Sequence, residues 1–193
     1  DVASIEGWFR NPALVQEFYN QRRMQLATVE PNEGHKGLAR LEKSFDVQII
    51  TQNVDNLHER VGSSNIVHLH GELTKVRSIA DDSLVTDIGY STIAMGDRAA
   101  DGAQLRPHIV WFGEAVPMFE KAISIVRQAD IFVIIGTSLN VYPAAGLVNY
   151  VPRTTPIYLI DPNDVPTIGI AKHFKTTATE GVALLENLLI KDL

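Results

Sequence analysis

The run Ile131-Phe-Val-Ile-Ile135 does most to limit what this chain can become. It is unbroken, apolar and mostly β-branched. It is too short for an amphipathic helix and far too short to cross a bilayer. Such a run predicts a strand covered on both faces, as in a parallel sheet. It stops at Gly136-Thr137-Ser138. The pattern recurs twice. Val47–Thr51 ends at Gln52-Asn53-Val54-Asp55, and Ile157–Ile160 ends at Asp161-Pro162.

Helical spacing fills the intervals. Asn11-Pro12 supplies a capping side chain and a first-turn proline, and predicts a helix to about Leu26. Val15, Tyr19, Arg22 and Leu26 fall on one face of it. Arg22 fits that face either by reaching out to water along its apolar stem or by meeting an anion, and spacing alone favours the first. Pro31-Asn32 opens a second helix with Leu38, Leu41 and Phe45 inward. Further helices are expected over Asp55–Val61, Met118–Ala129 and Glu180–Lys191, the last with Thr179 as its N-cap. Ile66–Leu69 and Pro107–Phe112 read as strands. Ser78–Gln104, rich in Asp, Gly, Ser and Ala, reads as a small lobe or a mobile loop. The sum is an α/β layered domain with a mostly parallel sheet.

Composition narrows the partners. With 193 residues, a net charge of −6 and no basic block, the chain is of ordinary size for one large domain and a poor match to nucleic acid. No run suits a membrane span, and no signal-peptide pattern stands at the start. The chain opens at Asp1 without methionine, so a missing N-terminus is expected. The lack of cysteine excludes disulfides and thiolate-bound zinc and points to the cytoplasm.

In open α/β sheets, ligands bind beyond the carboxyl ends of the strands. Gly136-Thr137-Ser138 offers a tight turn, N–H groups and hydroxyls for a phosphate, although such a short motif also suits a plain turn. Asp161 stands where a dinucleotide fold places an acid for ribose hydroxyls, or it is simple turn chemistry before proline. Gln52, Asn53 and Asp55 can read an amide-bearing ring. Together they favour a nucleotide site, yet no Gly-x-Gly-x-x-Gly is present. His68 and His70, two apart on an expected strand, share a face. They could be metal ligands with His58, core histidines, or a general base, with metal ranked last. Gly71 permits close approach and favours His70.

Thr51-Gln-Asn-Val-Asp-Asn-Leu-His58, His70-Gly-Glu-Leu73, Val110-Trp-Phe-Gly-Glu114, Gly136-Thr-Ser138 and Val141-Tyr-Pro143, in that order, resemble the sirtuins. These are NAD-dependent protein lysine deacylases. The resemblance spans nearly the whole chain and implies a Rossmann-like fold with helices on both faces of the sheet. It implies that Gln52, Asn53, Val54 and Asp55 line a nicotinamide and ribose pocket, with Asn53 and Asp55 beside the chemistry. His70 is implied as the general base. Gly136, Thr137, Ser138, Ile160, Asp161 and Ala178 are implied around phosphate and adenosine, with Asp161 standing where the family often has Asn. Val110, Phe112, Gly113, Glu114, Val141 and Tyr142 would meet an acyl-lysine peptide, clamped by β-augmentation at Gly113-Glu114 and Leu139–Val141. Products would be lysine, nicotinamide and O-acyl-ADP-ribose.

Tyr19-Asn-Gln-Arg22 matches the Tyr-x-x-Arg pair of the sirtuin branch that removes succinyl and malonyl groups. That match shifts Arg22 toward the anion reading, with deacetylation also expected. The region 76–105 would hold a four-cysteine zinc in relatives; here it is expected to be zinc-free, dependent on packing and mobile. The family's N-terminal Gly-Ala-Gly turn and cofactor loop are absent from the sequence, so residues 1–193 would form a catalytic domain without that segment. A monomer is expected. Two other readings stand beside deacylation: an NAD glycohydrolase, and a silent NAD- or peptide-binding module.

Overall fold

The computed structural model describes residues 2–166 and 169–191. They fall into two compact units, Asp1–Glu30, Thr51–Asn56 and His68–Val116 in the first, and Pro31–Ile50, Leu57–Val67 and Pro117–Leu193 in the second.

The first unit opens with α1 (Ile5–Arg10), capped by the Ser4 hydroxyl, which accepts from the Gly7 N–H at 3.0 Å. α2 (Pro12–Leu26) begins where the sequence placed it, with Asn11 Oδ1 accepting from the Leu14 N–H at 3.1 Å. Its buried face differs from expectation. Val15, Tyr19 and Leu26 are inside as read, but the buried arginine is Arg23, and Arg22 is exposed. Arg23 is 0 % exposed; its Nε donates to the Leu73 carbonyl at 2.6 Å and its Nη1 to Asn20 Oδ1 at 3.0 Å.

Leu73 belongs to β3 (Gly71–Ser78), which runs antiparallel between β4 (Val85–Asp87) and β5 (Leu105–Ile109). This antiparallel sheet was not foreseen. β3 carries Glu72, Lys75 and Arg77; Lys75 pairs with Glu72 at 2.8 Å on the same strand, and Arg77 reaches Asp82 at 3.3 Å and Glu114 at 3.5 Å. The region 76–105 is tied together mainly through polar groups. Asn20 donates to the Ile93 carbonyl at 2.8 Å and accepts the Ile93 N–H at 3.1 Å. The Ser78 hydroxyl donates to Asp101 at 2.6 Å, and Gln104 bonds both the Gly96 N–H and the Ala94 carbonyl. Ile93 is the one large apolar side chain fully buried between Ile79 and Gln104 among the described residues.

The chain passes between the units along β1 (Ile49–Thr51) and β2 (Ile66–His68), which pair with each other. The second unit holds α3 (Glu33–Leu41), α4 (Leu57–Arg60) and α5 (Phe119–Val126). Its sheet is β6 (Phe132–Ile135), β7 (Ile157–Ile160) and β8 (Ile170–Phe174), parallel and in that order. A 3-10 helix over Ala144–Tyr150 and α6 (Ala178–Lys191) complete it. The parallel strands expected at Asp130–Ile135 and Ile157–Ile160 are therefore present, and β8 joins them although its Lys172 and His173 hid it from the apolar pattern. Among the described residues β6 has a neighbour strand on one side only, and three of its four residues are half-buried.

One apolar cluster gathers Ile134, Ile157, Leu159 and Val165; another gathers Ile160, Phe174, Val182 and Leu185. Small residues let α6 come close. A Cβ at Gly181 would lie 2.2 Å from Ile160 Cγ2, and one at Gly37 on α3 would lie 2.5 Å from Val182 Cγ1. Arg40 on α3 and Glu186 on α6 close that contact at 2.8 Å. Two expectations need correction. The helix after Asp55 is confined to Leu57–Arg60, and the cap of α6 is Thr177 rather than Thr179, since Thr177 Oγ1 accepts from the Glu180 N–H at 3.4 Å.

Candidate active site

In the first unit the end of β1 and the turn after β2 are laced together. The Thr51 hydroxyl accepts from the Asn53 N–H at 3.0 Å and sets the turn through Gln52. Leu69 N–H donates to Thr51 O at 2.9 Å, and Leu73 N–H to Val54 O at 2.7 Å. His70 is not on a strand, as the sequence suggested, but in the turn between β2 and β3. Its Nδ1 meets the Gln52 carbonyl at 3.2 Å. A carbonyl can only accept, so it is Nδ1–H that donates in this contact. The loop after β1 thus fixes the orientation of the His70 ring. His68 makes the matching contact to the Asn53 carbonyl at 3.3 Å. The two histidines thus hold successive carbonyls of one loop.

Behind His70 the packing is tight. Gly71 has φ +81°, and its position leaves no room for a side chain. The His70 carbonyl accepts from the Val110 N–H at 2.9 Å, which ties this turn to the segment after β5. That segment runs beside residues 3–5: Phe112 N–H donates to Ala3 O at 2.9 Å, and Ile5 N–H to Phe112 O at 3.3 Å. Phe112 is 66 % exposed.

Glu114, expected beside the substrate peptide, makes several bonds within the fold. Its N–H closes a turn onto Trp111 O at 3.0 Å. Its carboxylate takes Arg106 in a fork, at 2.6 and 3.0 Å, and the Trp111 N–H at 2.8 Å. Burial alone would raise its pKa, but the bonds from Arg106 and Trp111 and the charges of Arg106 and Arg77 outweigh that, and the carboxyl lies below its usual value. These bonds tie Glu114 to Arg106 and to the turn at Trp111.

Tyr19 and Arg22 lie one turn apart on α2. Tyr19 is 6 % exposed, and its hydroxyl accepts from Trp111 Nε1–H at 3.0 Å. Burial raises its pKa, with Arg22, among other charges, acting on the hydroxyl. The Arg22 guanidinium sits over the Phe18 ring, 5.3 Å from its centroid, and Phe18 meets Tyr19 edge-on at 5.1 Å. No acid pairs with Arg22 among the described residues. Trp111 and Arg106, which organise this corner, were not singled out from sequence. The signal was present, since Trp111 lies inside the Val110–Glu114 motif.

In the second unit, Gly136 and Asp161 stand side by side at the carboxyl ends of β6 and β7, with Gly136 N–H donating to Ile160 O at 2.9 Å. Gly136 has φ +59° and open space where a side chain would be. Asp161 is 8 % exposed; one carboxylate oxygen accepts from the Asn163 N–H at 2.8 Å. Ala178 begins α6, just after β8. An exposed glycine turn and a buried carboxylate with acceptor capacity to spare, at the ends of parallel strands, suit a nucleotide's phosphate and ribose. Val141 and Tyr142 lie in the loop before the 3-10 helix, Tyr142 exposed and the Val141 carbonyl taken by the Ala145 N–H at 2.8 Å.

The Sir2 family model matches residues 1–143. The chain belongs to the Sir2 family. An NAD-dependent protein deacylase of Bacteroides thetaiotaomicron is 59% identical to this Sir2 chain over 98% of its length and 84% of the relative's. The crystal structure of a Sir2 homologue in complex with NAD superposes with a TM-score of 0.90 at 33% identity, covering 99% of this chain and 77% of that one. A Sir2 structure with a p53 peptide and NAD+ superposes with a TM-score of 0.81 at 25% identity, covering 97% of this chain and 82% of that one. The resemblance read from five short motifs is borne out, and so is the fold it implied.

Within this Sir2 chain, the first unit collects Gln52, Asn53, Val54, Asp55, His70, Val110, Phe112, Gly113, Tyr19 and Arg22. Gly136, Thr137, Ser138, Ile160, Asp161, Ala178, Val141 and Tyr142 fall in the second. Among the described residues, no helix is long and apolar enough to cross a membrane.

Proposed function

We propose that this Sir2 chain removes acyl groups that end in a carboxylate, such as succinyl and malonyl, from protein lysines, and acetyl groups less readily. The coarser activity follows from its family and its relatives: it is an NAD-dependent protein deacylase. The observation that carries the finer reading is the pair on α2. Tyr19 and Arg22 present a hydroxyl and a guanidinium one helical turn apart, and no acid neutralises Arg22 among the described residues. A planar guanidinium beside a phenol suits a carboxylate, which accepts from both.

NAD, when bound, supplies the ribose carbon that accepts the acyl oxygen as nicotinamide leaves. The chain's own groups do the rest. Gln52, Asn53, Val54 and Asp55 orient the nicotinamide end. His70 takes a proton at Nε2 while Gln52 O holds its Nδ1–H, so the ring cannot turn away as it charges. Gly136, Thr137 and Ser138 hold phosphate, and Ile160, Asp161 and Ala178 the adenosine side. Val110, Phe112 and Gly113 face the acyl-lysine, and Val141 and Tyr142 the peptide. The peptide complex of the Sir2 relative supports a protein substrate. The lack of cysteine accords with a cytoplasmic enzyme.

The test compares kcat/KM on succinyl- and acetyl-lysine peptides of one sequence, for wild type and Arg22→Met. Wild type should favour the succinyl peptide, and the variant should lose that preference by about tenfold or more, the worth of a charge-assisted hydrogen bond. An unchanged ratio sinks the reading. Following nicotinamide release with and without peptide separates deacylation from simple NAD cleavage.

A further inference from the structure

We propose that Trp111 is a specificity-positioning residue: its indole N–H occupies the Tyr19 oxygen and obliges the Tyr19 hydroxyl to donate its proton to the acyl group, while Arg106 and Glu114 lock the indole in place. This inference rests on the acidic-acyl reading above and names what enforces it.

The argument begins with valence. A tyrosine hydroxyl has one proton and can accept as well as donate, whereas an indole can only donate. Trp111 Nε1–H already points at the Tyr19 oxygen at 3.0 Å. The Tyr19 proton must therefore go to another acceptor, and among the described residues none of Tyr19's partners supplies one. With Arg22 beside it, the corner holds two donors, and among the described residues no acceptor bonds either of them. A ligand carboxylate completes it; a methyl group, as on acetyl-lysine, does not.

The indole is held by directed contacts as well as by packing. Trp111 is 2 % exposed. The Arg106 guanidinium lies over its ring at 3.5 Å from the centroid, and Trp8 stacks on it at 5.4 Å. Glu114 binds Arg106 through both oxygens and also takes the Trp111 backbone N–H. Arg106 spends a further N–H on the Ile109 carbonyl at 2.9 Å. One carboxylate thus fixes the tryptophan at its backbone and, through Arg106, across its ring. Neither Arg106 nor Glu114 touches the acyl group on this view; both act through Trp111, and Trp111 through Tyr19.

The experiment measures the succinyl-to-acetyl ratio of kcat/KM for the full-length protein and for Trp111→Phe, Tyr19→Phe, Arg22→Met and the Trp111→Phe/Tyr19→Phe double variant. Phenylalanine keeps an aromatic ring for Arg106 and Trp8 and removes only the N–H function and some volume. Should Trp111→Phe fail to fold in a thermal melt, benzothienylalanine at position 111 replaces the N–H by sulfur with the indole's shape retained. The expected result is a ratio lowered about fivefold or more in Trp111→Phe, carried by KM for the succinyl peptide, and not lowered further by adding Tyr19→Phe. A purely structural role would depress both substrates alike and leave the ratio where it was. If the ratio falls in Tyr19→Phe and Arg22→Met but not in Trp111→Phe, the proposal is overturned and the acidic-acyl reading stands. If the double variant loses the product of the two single effects, Trp111 does not act through Tyr19, and the proposal is again overturned. A ratio indifferent to all of these changes ends both readings.

Discussion

A Cβ atom at Gly71 would lie 2.0 Å from the carbonyl oxygen of His108. The turn that presents His70 is thus pressed against the backbone of β5, with nothing flexible between them. Gly71→Ala meets this wall and also a φ of +81°. It should cost about 2–4 kcal/mol of stability, since strain and clash add. Chemical denaturation gives the first number. Deacylation at a temperature where the variant is still folded should fall further than stability explains, because His70 moves with the turn.

Asn20 is the hinge pin of the region that relatives are expected to staple with zinc. It makes two bonds with Ile93 and accepts one from Arg23. Asn20→Ala leaves the Ile93 backbone unpaired and should cost about 2–3 kcal/mol. Hydrogen exchange should show the loss first at Ile93 and its neighbours. If exchange there matches wild type, the lobe is held by something else.

Glu114 links stability to pH. Its folded pKa lies below the ordinary 4.5, because Arg106, Trp111 and Arg77 outweigh the effect of burial. A depressed carboxylate stabilises the fold fully above the unfolded value and loses that contribution as pH falls through the folded one. The Tm gap between wild type and Glu114→Gln should therefore be largest near neutrality and shrink below about pH 4.5. A gap that stays constant down to pH 3 would remove Glu114 from its anchoring role.

In the second unit, Gly181→Ala drives a methyl group into Ile160 Cγ2, which would be only 2.2 Å away and is fully buried. Overpacking of this kind costs about 1–3 kcal/mol. A melting temperature equal to wild type would mean that α6 can slide on the sheet.

How much of this could be read from residues alone depends on how local the cause is. The start of α2 was legible because Asn11 and Pro12 act on the next turn. Which arginine lies inside was not. Arg22 and Arg23 are adjacent on the helix, and the choice is made by the Leu73 carbonyl, fifty positions away. β6 and β7 were legible because both faces are apolar. β3 and β8 were hidden, since Lys75, Arg77, Lys172 and His173 break the pattern and find their surroundings only on folding. Thr179 was chosen as a cap because it stands before the apolar run; Thr177 won because the backbone turns two residues sooner. The site motifs were legible as strand ends. The direction of Glu114 was not, as its partner Arg106 comes from the strand before the turn.

The unpaired side of β6 has a practical consequence. Phe132-Val-Ile-Ile135 bears no charge and no proline, the two devices that usually keep a strand edge from recruiting another chain. Among the described residues no strand covers that side, which leaves a template for a strand from a second molecule. Preparations limited to these residues should cloud with concentration, and a polypeptide that lays a strand along β6 should keep them clear.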